Sequence, residues 1–134
     1  TIRRGAVLVL NHFSGTRIVA TPAALAEAVW PVDALALRTA SDELLVFPQQ
    51  HDVTLSDPHA IIIDDGSYLG GWVDESEGLR FLASHCEWEM PRARPAFAQG
   101  AAAGLPIKLW LTDGRILFIV ETAFAADFLE CWHE

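Results

Sequence analysis

The chain of 134 residues is long enough for one domain or two small fused halves, and at 51% apolar and 20% charged residues it is globular rather than disordered. Its formal net charge of −9 argues against a nucleic-acid partner, which would need Lys and Arg to neutralise phosphates. No apolar run reaches about 18 residues, so no membrane span is expected.

In chain order, residues 6–10 and 16–20 read as short strands around a turn at 11–15. Thr21-Pro22 is a helix start, with Thr as N-cap and Pro at the first helical position. Leu25 and Val29 mark the buried side of that helix, which must end near Trp30-Pro31 because Pro cannot continue it. Strands follow at 34–39 and 44–47, joined at 40–43. Residues 49–58 form a polar connection holding His51, Asp52 and Asp57, with His59 just beyond. These ligand types sit at no recognised metal spacing, so the reading is a solvated loop without metal.

Residues 60–63 are expected to form a buried strand, broken at Asp64-Asp65-Gly66. Residues 68–73 form another, in which Gly70-Gly71 suggests a bulge or a close backbone approach. Asp74 with Glu77 resembles a capping box, and Leu79, Leu82, Ala83 and Cys86 then fall at helical spacing. Residues 88–98, with Pro91, Arg92, Arg94 and Pro95, read as a loop, and 100–104 as a small, flexible link.

The segment 107–132 organises the chain. Apolar runs 107–111 and 115–120 flank Thr112-Asp113-Gly114, and Asp-Gly between such runs signals a hairpin with a primed turn. The period then changes: Phe124, Phe128, Cys131 and Trp132 share one helix face. A hairpin therefore runs into a helix that folds back on it. Both strands are apolar at nearly every position, so the face away from the helix needs cover from more of the chain or from another subunit.

The two halves, about 1–58 and 59–134, repeat each other. Strand 16–20, the helix from Pro22 and strands 34–39 and 44–47 match strand 68–73, helix 76–86 and strands 107–111 and 115–120. The expected fold is α+β, two ferredoxin-like β-α-β-β halves of mostly antiparallel sheet within a single domain spanning residues 1–134. The first half is truncated, because it lacks the closing helix that the second has at 122–132.

No Gly-rich phosphate loop or Gly-x-Ser-x-Gly run occurs. His85 and Cys86 are neighbours on a helix and so do not face each other. Asp64 and Asp65 are candidate ligand-binding carboxylates, although Asp-Asp-Gly after a strand is ordinary turn chemistry. Glu87 and Glu89 flank Trp88 beyond a helix end, where a carboxylate could hold a substrate amine, although a solvated loop carboxylate is the commoner reading. No catalytic centre stands out. Cys86 and Cys131 read as free buried thiols, which with no visible secretory signal fits a cytoplasmic protein. Of the five tryptophans, Trp30, Trp72, Trp88, Trp110 and Trp132, two readings stay open: some serve a partner surface, or all five are core.

Residues 79–90 (LRFLASHCEWEM), Gln99-Gly100-Ala101 and above all 116–132 (ILFIVETAFAADFLECW) resemble the gamma subunit of heterotetrameric sarcosine oxidase. Residues 36–48 (ALRTASDELLVFP) resemble that family's Asp-Glu-containing segment, with Asp42-Glu43 retained and Leu44 in place of Trp. The resemblance covers residues 16–132. It implies a non-catalytic subunit that packs on larger flavoprotein subunits acting in oxidative demethylation of N-methyl amino acids. Flavins, NAD and tetrahydrofolate would then lie on the partners, with no cofactor on this chain. The wider relatives are folate-binding glycine-cleavage aminomethyltransferases, enzymes of one-carbon metabolism. Trp88-Glu89 matches their Asn-Asp pair, which implies a second reading in which a stand-alone folate-binding protein uses Glu89 with Asp64 or Asp65.

Trp110 alternates with Leu109 and Leu111 and shares its face with Lys108, as at the rim of a subunit boundary. Trp110, Lys108 and Trp132 are the expected interface residues, and without its partner the chain is expected to form a homodimer.

Overall fold

The computed structural model describes residues 7–134. The elements in order are β1 (Asn11–His12), β2 (Gly15–Val19), α1 (Pro22–Glu27), β3 (Leu35–Ala40), β4 (Glu43–Phe47), β5 (Ile61–Asp65), β6 (Tyr68–Asp74) and α2 (Glu75–His85). They continue with β7 (Ala96–Ala102), β8 (Leu105–Leu111), β9 (Arg115–Glu121), a 3-10 turn (Thr122–Phe124) and α3 (Ala125–Trp132). The fold is α+β with two antiparallel sheets. Ala6, at the start of the expected strand 6–10, lies outside the described residues. Residues 7–10 form no strand, and pairing begins at β1.

Phe13–Ser67 form one compact unit, and Tyr68–Glu134 with the described residues before Phe13 form the other. The first unit holds a sheet of order β3-β4-β2-β5, the second a sheet of order β1-β6-β9-β8-β7. Read from one edge, β5-β2-β4-β3 and β1-β6-β9-β8 follow the same pattern, with α1 after β2 and α2 after β6. The internal repeat is therefore physical, and β7 is the added strand.

In the first unit, α1 begins as expected. Thr21 Oγ1 accepts from the Ala24 amide at 3.2 Å, and Pro22 opens the helix. The helix buries Ala24 and Leu25 with Ile18, Leu44 and Val46, and Trp30, Val53 and Leu55 pack around that cluster. It stops at Glu27, before Val29, which is therefore 90% exposed and not on the buried side. The expectation of a buried strand at 60–63 is also corrected. Ile61, Ile62 and Ile63 are 53%, 46% and 48% exposed. Among the described residues β5 is an edge strand that pairs with β2 alone, so three consecutive isoleucines are exposed on both sides of the sheet. Nor does Asp64-Asp65 break the strand, because the pairing with β2 runs to Asp65 opposite Gly15.

In the second unit, α2 and α3 cover one sheet face. Phe81, Phe118 and Phe128 form the centre with Leu109, Leu111, Ile116 and Val120. Phe81 meets Phe128 edge-on at 5.3 Å, and Trp132 closes on Phe81 at 4.7 Å. Of the residues expected to give α2 its buried face, Leu82 is buried, Leu79 and Cys86 pack at its margin, and Ala83 is exposed; Gly78 and Phe81 take the remaining buried positions. Gly71 marks a close approach, not a bulge, because the β6–β9 register is unbroken. A methyl group there would stand 2.5 Å from the Val9 carbonyl oxygen. Asp74 occupies the N-cap of α2 but makes no side-chain capping bond, and Glu77 binds Arg80 at 3.1 Å, so no capping box forms.

Residues expected to be loop and link instead form β7, paired residue for residue with β8 from Ala96–Leu111 to Ala102–Leu105. The turn between them, Ala103-Gly104, has φ of 53° and 78°. Positive φ at both central residues is the primed geometry. It was expected at Asp113-Gly114, where only Gly114 (φ 89°) is left-handed.

Candidate subunit interface

The alternation of β8 sorts its side chains onto two faces. Ile107, Leu109 and Leu111 enter the core under the helices, and Lys108 and Trp110 lie on the opposite face. Cross-strand register then assembles a row on that second face. Trp72 on β6 is opposite Leu117 on β9, Leu117 is opposite Trp110 on β8, and Trp110 is opposite Phe97 on β7. Leu117 and Ile119 are buried, Trp110 and Phe97 are half-buried, and Trp72 is 42% exposed.

Charges frame this row. The Arg115 guanidinium lies over the Trp72 ring at 4.4 Å, and Lys108 Nζ lies 5.5 Å from the Tyr68 ring centroid. Each contact is worth on the order of 0.5–1 kcal/mol at an exposed site. Asp74 is opposite Arg115, and Glu121 is opposite Tyr68. Of the two rings that carry a cation, Tyr68 is buried and Trp72 is exposed, so Trp72 is the one that offers aromatic surface of the kind found at binding patches. Trp132 occupies a different place. It packs on Phe81 and Phe118, with the helices on the first face. Trp30 and Trp88 also pack on their own units' cores.

The candidate ligand carboxylates are divided between the two units. Asp64 and Asp65 end β5 in the first unit, and Glu89 follows α2 in the second. Asp65 accepts from the Ser67 amide at 3.0 Å and from the Ser67 hydroxyl, which is turn chemistry. Glu89 is exposed. Its neighbour Trp88 is fixed, with the indole N–H donating to the Ala101 carbonyl at 2.8 Å. In the polar connection, Asp57 accepts from the amides of Thr21 at 3.1 Å and His59 at 2.9 Å, so its carboxylate holds backbone together. No group of three His, Cys, Asp or Glu side chains able to hold a metal occurs among the described residues.

Cys86 and Cys131 are free thiols packed at the core margin. Burial pushes the Cys86 thiol up from its ordinary value, away from a reactive thiolate. Glu75 is shifted the other way. Its carboxylate accepts from Arg94 Nε at 3.0 Å and from the Gly114 amide at 3.3 Å, and these bonds hold it below the usual glutamate range. This ties the start of α2 to the 88–95 segment and to the β8–β9 turn.

Trp72, Phe97 and Arg115 were not singled out from sequence as site residues. Strand alternation could have placed Trp72 opposite to Val73, but joining it to Trp110 needs the β6–β9–β8 register.

No protein-family model and no curated protein matches the chain. Among solved structures, it is similar to a chain of the heterotetrameric sarcosine oxidase from Corynebacterium sp. U-96, solved in complex with pyrrole 2-carboxylate. The TM-score is 0.66 at 15% sequence identity, over 93% of this chain and 80% of that one. The fold is sarcosine oxidase-related. At that identity the likeness is one of architecture. No helix among the described residues is long and apolar enough to cross a membrane.

Proposed function

We propose that this chain is a non-catalytic, gamma-type subunit of a heterotetrameric sarcosine oxidase-like complex that oxidatively demethylates N-methyl amino acids. One observation carries the reading: the fold match fills 93% of this chain and 80% of the matched chain. The two chains are thus of similar size, and the likeness spans nearly a whole small subunit instead of a fragment of a large one. The part-exposed aromatics of that row, Trp72, Trp110 and Phe97, with Arg115 and Lys108 beside them, support this reading as a candidate surface for a larger partner. In this reading flavins, NAD and tetrahydrofolate reside on the partner subunits, and this chain contributes packing surface.

The test is affinity purification of the tagged chain from its native host. A co-eluting large subunit with flavin absorbance, encoded beside this chain's gene, is the expected result. A chain that elutes without any flavoprotein, and whose gene has no flavoprotein neighbour, would rule the reading out.

A further inference from the structure

Four sheet edges exist among the described residues, and three are blunted. β1 is only two residues long. β3 carries a bulge between Arg38 and Ala40, and Arg38 turns its guanidinium to the Pro22 carbonyl. β7 is covered where Trp88 donates to the Ala101 carbonyl, and just beyond it the Ala103 amide donates to the His85 carbonyl. These are the ordinary means by which proteins stop edge strands from pairing with other chains.

Among the described residues β5 is neither so short, nor bulged, nor covered, and its one guard is the carboxylate pair Asp64 and Asp65. It is five residues long, regular in register, free of Pro and Lys, and reads Ile-Ile-Ile-Asp-Asp. β2 takes the hydrogen-bonding groups on one side of the strand. Those on the other side have no strand partner among the described residues, and another extended backbone would satisfy them in sequence. All three isoleucines are about half exposed, on alternating faces, so a docked strand would gain side-chain contacts above and below the sheet. Asp64 makes no side-chain hydrogen bond or ion pair among the described residues, and it sits beside Asp65 at one end of the strand.

We propose that β5 is the docking edge for an extended segment of a different, basic protein. That segment is apolar at its centre and carries Lys or Arg where it passes Asp64 and Asp65. Charge selects this occupant over a second copy of the chain. β5 offers no cation to its own carboxylates, since antiparallel self-pairing about Ile63 sets Ile61 against Asp65, and each copy brings a net charge of −9. The inference concerns the first unit only and stands whether or not the partner is a flavoprotein.

The probe is a soluble peptide, acetyl-Lys-Lys-Val-Thr-Ile-Thr-amide, titrated into the isotopically labelled full chain and followed by amide chemical shifts. The expected result is saturable shifts centred on the Ile61–Asp65 amides and their β2 partners, weakened by added salt. The Asp64→Lys/Asp65→Lys double variant should lose about tenfold or more in affinity, because rim charges set such encounters. A Glu-Glu peptide of otherwise identical sequence should bind the double variant better than the native chain. Ile62→Lys, on an exposed position, should abolish binding with circular dichroism unchanged. A peptide N-methylated on one set of alternate residues should bind, and the other set should not. Unmoved β5 amides at millimolar peptide would overturn the proposal. So would a concentration-dependent dimer of the native chain that Ile62→Lys dissolves, which would make the occupant a second copy.

Discussion

Trp72 and Trp110 lie on the same face of the second sheet, separated only by Leu117, in one continuous cross-strand row. The helices cover the other face, so this row does not depend on them for its placement. Trp110→Glu should abolish association with a partner or with a second copy while leaving the circular dichroism spectrum and unfolding cooperativity intact. The loss expected for a central aromatic anchor is about 2 kcal/mol or more, roughly thirtyfold in affinity. Sedimentation of both proteins, alone and with the co-purified partner, measures it. Global unfolding of a monomeric native chain on the same substitution would show Trp110 to be an ordinary core residue.

Glu75 links stability to pH. Its folded-state pKa lies below the ordinary value of 4.5, first through the Arg94 hydrogen bond and then through the Gly114 amide. A depressed carboxylate stabilises the fold at pH values above its unfolded pKa, and that contribution fades as pH falls through the folded value. The stability difference between the native chain and Glu75→Gln should therefore be constant from neutral pH to about pH 5 and shrink on further acidification. Denaturant unfolding at a series of pH values tests this. A difference that stays flat to pH 3 would mean the contact is not formed in solution.

Gly71 sits where a Cβ would meet the Val9 carbonyl oxygen at 2.5 Å and Leu8 Cδ1 at 3.0 Å. Gly71→Ala should cost about 1–3 kcal/mol despite the better strand propensity of alanine, because backbone must move to admit the methyl group. The drop should appear in the thermal midpoint, with faster amide exchange at β1 and along β6.

Ala103 is the reverse case, since its φ of 53° is a conformation that L-residues other than Asn and Asp rarely adopt. Ala103→Asn makes the favoured Asn-Gly pair for a primed turn and should stabilise by about 0.5–1 kcal/mol. An unchanged or lower unfolding midpoint would contradict the turn geometry.

The hairpin and helix of 107–132 were legible because the apolar period changes from two to about 3.6 within one stretch. The repeat was legible because each half punctuates its strands and helix alike. β7 was hidden because Ala and Gly carry little strand propensity, and its pairing with β8 overrides that. The isoleucines of β5 read as buried because a run of apolar residues does not reveal which strand is an edge. That is settled by pairing across some 45 residues of chain. Of the interface row, the face of Trp110 followed from alternation alone. Trp72 and Phe97 could join it only through the register of strands distant in sequence.

β1 also has a bearing on how the chain folds. His12 is paired with Leu69, and Gly15 with Asp65, so the β1–β6 and β2–β5 pairings close nearly the same loop of chain. Bringing His12 to Leu69 in an unstructured chain closes a long loop, at an entropic cost on the order of 3 kcal/mol. Once β2 and β5 have paired, most of that loop is already closed, so little closure cost is left for pairing β1 with β6. Whichever of the two pairings forms first therefore lowers the closure cost of the other.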